Sequence, residues 1–154
     1  MRTRHLSSRS GFSLVELLAV MTIIGILAGL IIGASHYAYQ KERRSSATGR
    51  IAALEAKLDD FKADNGYYPK QAAPGPGSST VLYNALYGVT TSKKYFTAFT
   101  PYEISNGKVI DPFGNEYQYV CPGVHNPATY DLWSNGSDGI NGTPDDISNW
   151  QSSN

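Results

Sequence analysis

Residues 12–33, FSLVELLAVMTIIGILAGLIIG, form a run of 22 residues whose clearly polar members are Ser13, Glu16 and Thr22. As an α-helix rising 1.5 Å per residue it would span about 33 Å, enough to cross the roughly 30 Å hydrocarbon core of a bilayer. Burial in a globular core is the competing use. A helix apolar on every face needs a large protein around it, and the whole chain has 154 residues. The run reads as a membrane segment.

Its flanks give it a direction. Arg2, Arg4 and Arg9 precede it without an acidic residue among residues 1–11. By the positive-inside tendency they hold that end in the cytoplasm and send the remainder across the membrane. An ordinary secretory signal would have an apolar stretch of about 7–15 residues closed by an A-x-A-like site. Here the stretch is longer and the break in character, Ser10-Gly11-Phe12, comes before it.

Beyond the run, residues 34–64 contain no Pro and a single Gly, Gly49. Ile51, Leu54, Leu58 and Phe61 fall on one face at helical spacing, with Glu55, Lys57, Asp59, Asp60 and Lys62 around the other sides. The helix should stop at Asp64-Asn65-Gly66, because Asn and Gly tolerate the left-handed conformation of a helix end. This predicts one helix of about 53 residues, close to 80 Å long. Its outer part, residues 34–65, needs a partner along the apolar stripe.

Residues 66–154 change character, with four Lys against seven Asp and Glu and many Pro, Gly, Ser, Asn and Tyr. Turn chemistry separates short β-like runs at 108–110, 116–120 and 129–133. The predicted fold is α+β: a long N-terminal helix packed on a small C-terminal antiparallel sheet. Tyr68, Phe96, Phe99, Tyr117, Tyr119, Tyr130 and Trp133 are its expected core; a carbohydrate platform is the weaker use for them.

Zero formal net charge, from 13 Lys and Arg against 13 Asp and Glu, argues against nucleic acid as a partner. The lone Cys121 excludes an intramolecular disulfide framework and a Cys-rich zinc site. His5, His36 and His125 are scattered, without metal-ligand spacing, and no nucleophile-elbow or phosphate-loop motif is present. His125 lies four residues from Cys121, which gives no triad geometry by itself. Adjacent Asp59 and Asp60 point in different directions from a helix and read as solvated surface. A membrane-anchored enzyme or binding domain would need a cleft with convergent titratable groups, and none is visible. The chain is read as a non-enzyme.

Two features admit two readings each. Gly25, Gly29 and Gly33 recur every four residues, either as a stripe where neighbouring helices approach closely or as incidental small residues. Asp138, Asp145 and Asp146 lie within nine residues beside Gly136, Gly139 and Gly142. Folded together, three carboxylates repel unless a cation or protons neutralise them. Calcium suits such a loop, as does a plain solvated acidic turn.

The junction Gly11-Phe12-Ser13-Leu14-Val15-Glu16, basic residues before it and an apolar run after it, resembles the cleavage and methylation signature of type IV prepilins and pseudopilins. Four distal segments narrow the resemblance: DNGYYP (64–69), DPFGNEYQY (111–119), YDLWSNGSDG (130–139) and DDISNW (145–150). With them the chain is similar to the family of general secretion pathway protein G, the major pseudopilins of type II secretion systems. Many members carry Pro where this chain has Gly33, which weakens a helix but keeps its backbone donor.

The resemblance implies four parts: a leader, 1–11; a transmembrane and assembly helix, 12–33; an amphipathic helix, 34–65; and a periplasmic domain with a calcium loop, 66–154. It implies a prepilin peptidase cutting after Gly11 and methylating Phe12. Glu16 would compensate the N-terminal amine of a neighbouring subunit, the alternative being an interfacial carboxylate near the helix end. Asp138, Asp145 and Asp146 would give calcium their side-chain oxygens, and Asn135 and Ser137 their carbonyls. The implied function is a structural filament subunit at the bacterial inner membrane. Its partners are copies of itself, minor pseudopilins and the inner-membrane assembly platform, and its task is to help export folded proteins. A type IV pilin for adhesion, motility or DNA uptake is the alternative. Mass spectrometry of the membrane-extracted protein should find a chain lacking residues 1–11 and starting at N-methylated Phe12; an intact Met1 start in cells holding the peptidase would refute this.

Overall fold

The computed structural model describes residues 13–71, 77–88, 93–96 and 103–151, without side-chain surroundings for 31–36 and 77–78. In chain order the elements are α1 (Leu14–Asn65), β1 (Gly77–Ser78), α2 (Thr80–Leu86), β2 (Ile104–Ser105), β3 (Lys108–Val109), β4 (Gln118–Val120), β5 (Asp131–Ser134) and β6 (Ile147–Ser148). The architecture is α+β. Two compact units divide it, Met1–Tyr39 and Gln40–Asn154.

In the first unit the described chain is helical from Leu14, and large apolar side chains face outward all along it. Leu14 is 81% exposed, Met21 64% and Leu30 66%. So much uncovered hydrocarbon is not stable in water; it requires lipid or other helices. The described side chains of this run end at Leu30, and among the described residues no helix is long and apolar enough to cross a membrane.

The second unit has its own core. Ala47, Ile51, Leu54, Leu58 and Phe61 of α1 are buried, at spacings of four and three that keep them on one helical face. They meet Leu82, Ala85 and Leu86 of α2, and Val109, Tyr117, Tyr119, Tyr130, Leu132 and Ile147 from the sheets. The predicted stripe is the buried one, with Ala47 added a turn earlier. The helix ends where expected: Gly66 turns left-handed at φ 81°, and its N–H donates to the Lys62 carbonyl at 2.7 Å.

The main sheet is antiparallel in the order β1-β4-β5-β6, and β2 and β3 form a separate hairpin. Asn106 (φ 51°) and Gly107 (φ 73°) supply that hairpin's two left-handed positions. In β4 and the residue before it the two-residue period sends Tyr117 and Tyr119 inward. The Tyr119 hydroxyl donates to the Pro69 carbonyl at 2.8 Å, so this buried aromatic is also satisfied. Tyr130 packs on Tyr119 and Tyr68, with ring centroids 5.5 and 4.8 Å apart.

All four residues of β5 are buried. Leu132 lies in the core, while Trp133 meets Trp150 edge-on. The Asp131 carboxylate accepts the N–H groups of Val124, His125 and Asn126 at 2.7–2.9 Å. Burial alone would push this group up, but those donors and the His125 ring hold it below the usual carboxylate range.

Of the expected core aromatics, Tyr117, Tyr119, Tyr130 and Trp133 are buried, Tyr68 and Phe96 lie against the core, and Phe99 is outside the described residues. Leu58 has no exposed surface. Leu58→Ala should therefore cost about 2–5 kcal/mol in denaturant melts of the detergent-solubilised chain, against roughly 0.5 kcal/mol for exposed Ala56→Ser.

Candidate metal centre and helix terminus

Those of the residues singled out in the sequence that the structure describes fall in the first half of α1 and in the loop between β5 and β6. Gly11 and Phe12 lie outside the described residues. Glu16 sits in the first turn of α1, and its Oε2 accepts the Ser13 N–H at 2.9 Å. In return the Ser13 hydroxyl accepts the Val15 N–H at 3.4 Å. This is one half of a capping box: the Glu three residues on reaches back to the Ser13 N–H, while the Ser13 hydroxyl takes the N–H of Val15 and not that of Glu16. The S-x-x-E spacing is legible in the sequence, and the reading of Glu16 as an assembly residue does not use it. Within a single chain, then, the carboxylate satisfies an otherwise orphaned donor at its own helix end.

An added Cβ at Gly25 or Gly29 would meet nothing within 4 Å. Neither glycine is required by packing within the chain, so their face is open. The third glycine of the stripe, Gly33, has its surroundings outside the described residues.

The β5–β6 loop contains Asp138, Asp145 and Asp146. Asp145 Oδ2 accepts the Ser137 N–H at 2.7 Å, the Ser137 hydroxyl at 2.9 Å and the Asp138 N–H at 3.2 Å, and its Oδ1 accepts the Thr143 hydroxyl at 2.5 Å. Led by the Thr143 bond, these donors hold its carboxyl well below the usual range, against a desolvation cost from burial. Asp146 is buried and accepts the Gly142 N–H at 2.7 Å; exposed Asp138 accepts the Ile140 N–H at 2.8 Å. The Asn135 amide oxygen takes the Trp133 indole N–H at 2.9 Å. From α1, Arg44 Nη1 donates to the Asp145 carbonyl at 3.3 Å.

Each carboxylate is thus turned to loop donors, and among the described residues no three His, Cys, Asp or Glu side chains are gathered to hold a metal. The local donor set is nevertheless all oxygen: carboxylates, hydroxyls and carbonyls from turns built on glycine. That is the chemistry of a hard cation such as calcium. Gly136 (φ 65°) has no substitute here, because a Cβ would sit 2.5 Å from both the carbonyl and Oδ2 of Asp145.

The turn at 111–115 lies against this loop. Asp111 is buried, and its Oδ1 accepts the N–H groups of Phe113 and Asn115 at 2.9 and 2.8 Å. Its Oδ2 accepts the Ser134 hydroxyl at 2.5 Å, and Ser134 Oγ accepts the Gly136 N–H at 3.1 Å. Burial pushes the Asp111 carboxyl up, and these donors draw it only part of the way back. In the sequence 111–115 reads as turn material; its link to the acidic loop has no local sequence signal.

Comparison with known proteins gives the family. Residues 37–150 match the family described as type II secretion system (T2SS), protein G, and residues 6–32 match the prokaryotic N-terminal methylation motif. The type II secretion system core protein G of Escherichia coli K12 is 34% identical over 147 residues, spanning 96% of this chain and 94% of that protein. The protein of the same name from Vibrio cholerae serotype O1 is 32% identical over 155 residues, spanning 96% and 95%. A solved structure of the major pseudopilin from the type 2 secretion system of enterohaemorrhagic Escherichia coli is 28% identical. It covers 77% of this chain and 92% of that one, with a TM-score of 0.47. With the match running through residues 37–150 and the likeness to these relatives through nearly their whole length, the chain belongs to the type II secretion system protein G family.

Proposed function

We propose that the chain is the structural subunit of a type II secretion pseudopilus, polymerising at the inner membrane to help move folded proteins out of the cell. The observation that carries this reading is the pairing of protein G family membership with a first half of α1 whose described apolar side chains, from Leu14 to Leu30, are exposed. The periplasmic fold buries its hydrophobic stripe internally, whereas Leu14, Met21 and Leu30 stay uncovered. Lipid would cover them before assembly and neighbouring helices afterwards. The open face at Gly25 and Gly29 would allow close approach of those helices.

In this reading the methylation motif makes the chain a substrate of a prepilin peptidase, with cleavage after Gly11. Copies of the chain, minor pseudopilins and an inner-membrane assembly platform are its partners. A carboxylate at bilayer depth costs about 2.5–3.5 kcal/mol on insertion scales. Glu16 reduces that cost by capping its own helix and, in a filament, would do so by meeting the amine of a neighbouring Phe12. Deleting the gene should abolish exoprotein secretion while leaving surface pili intact. Re-expressed Glu16→Gln should insert in the membrane yet fail to restore secretion; full restoration would count against the assembly role, and loss of pili with secretion intact would point to a type IV pilin.

The proposal includes calcium in the β5–β6 loop. Asp138, Asp145 and Asp146 would supply side-chain oxygens, and Asn135 and Ser137 carbonyls. The ion would neutralise the like charges that Ser137, Thr143 and the loop amides now stabilise only through hydrogen bonds. Binding to the folded state alone raises stability by roughly 2.7 kcal/mol at a hundredfold excess over Kd. The detergent-solubilised chain should accordingly melt higher in calcium than in chelator, and Asp138→Ala should erase the difference. Superimposable wild-type melts would remove calcium from the account.

A further inference from the structure

Gly136 is the residue on which the acidic loop turns, and both polar groups of its backbone are held from outside the loop's acidic segment. Its N–H donates to Ser134 Oγ at 3.1 Å, and that hydroxyl in turn donates to buried Asp111 Oδ2. Its carbonyl accepts Asn115 Nδ2 at 2.9 Å. Asp111 and Asn115 are themselves tied together, the Asn115 N–H donating to Asp111 Oδ1 at 2.8 Å and the Asp111 N–H to the Asn115 carbonyl at 2.8 Å. The Asn115 amide also limits Gly139, where an added Cβ would lie 3.1 Å from its Oδ1. One closed turn therefore clamps Gly136 from both sides.

Clamping Gly136 orients the backbone just beyond it. The next two N–H groups, those of Ser137 and Asp138, both point at Asp145 Oδ2. Gly136 is packed so tightly on Asp145 that a Cβ would overlap its carbonyl and carboxylate. Position is thereby passed from the buried 111–115 turn to the carboxylate in the middle of the acidic loop without Asp111 or Asn115 reaching it directly.

We propose that Asn115 and Ser134, backed by Asp111, are positioning residues that set the calcium affinity of the β5–β6 loop by holding Gly136. The inference rests on the calcium reading above. Groups that orient ligands from one layer out are typically worth about 10–100-fold in metal affinity. Neither Asn115 nor Ser134 belongs to the proposed ligand set, so truncating them removes no oxygen from the ion.

The test is calcium titration of the full-length, detergent-solubilised chain by isothermal calorimetry, with melting in chelator measured in parallel. Wild type must first bind calcium; absence of binding there is the failure of the calcium reading, seen before any variant is compared. Given binding, Asn115→Ala should weaken it by about tenfold or more at unchanged stoichiometry. Ser134→Ala gives a second, independent route to the same result should Asn115→Ala fold poorly. Leu58→Ala, at a core position that is neither a proposed ligand nor one of the residues holding Gly136, should lower the melting temperature in chelator while leaving calcium affinity alone. The proposal is overturned if a folded Asn115 or Ser134 variant binds within about twofold of wild type. It is equally overturned if Leu58→Ala weakens binding as much as they do, since the effect would then track stability and not position.

Discussion

The second unit, Gln40–Asn154, depends on one interaction: burial of the Ala47–Ile51–Leu54–Leu58–Phe61 stripe of α1 against α2 and the inward residues of the sheets. The strands are two to four residues long, too short to be stable on backbone pairing alone. The helix supplies what they lack. Burying apolar surface at about 25 cal/mol per Å² is the main favourable term available to so small a fold. Tyr117 and Tyr119 extend that surface from the sheet side, and each finds an acceptor for its hydroxyl, in the carbonyls of Ala47 and Pro69. The aromatic core is thus tied to the helix and to the chain just beyond its end.

With that core in place, the polar structure is arranged around β5, the strand buried along its whole length. Asp131 at its start gathers the amides of residues 124–126, and Ser134 at its end relays Asp111 to Gly136. Two buried carboxylates thus organise the loops at the two ends of one strand. They do so in opposite electrostatic regimes. Asp131 has enough amide donors for the charged form to be favoured, whereas burial dominates at Asp111.

The range of the forces involved decides how much of this is legible in the sequence. The helix and its buried stripe have a local period of 3.6 residues, so Ile51, Leu54, Leu58 and Phe61 can be read directly, as can the stop at Gly66. Three strand runs are visible from alternating aromatic and β-branched residues. Helix α2 is not expected, because Thr80–Leu86 has only seven residues, too few for a helical period to stand out. Strands β1, β2 and β6 have two residues each and no period to detect, although Asn106-Gly107 is a hairpin signal in plain sight. In the candidate centre the three aspartates are apparent from composition. Their hydrogen-bond partners are not, since Asn115 meets Gly136 across 21 residues of chain. The same holds for Arg44, which reaches Asp145 across 101.

The sheet order carries a last consequence. Its two outer strands, β1 and β6, are each two residues long, so the main sheet presents hardly any unpaired backbone at its margins. A long exposed margin would recruit strands from other copies indiscriminately and without a fixed repeat. A protein whose proposed work is to associate with itself in one reversible, ordered way has strong reason to close that route. Among the described residues the sheet therefore offers little edge for strand addition, so self-association of the proposed kind would fall to other surfaces, the exposed apolar side chains of α1 from Leu14 to Leu30 among them.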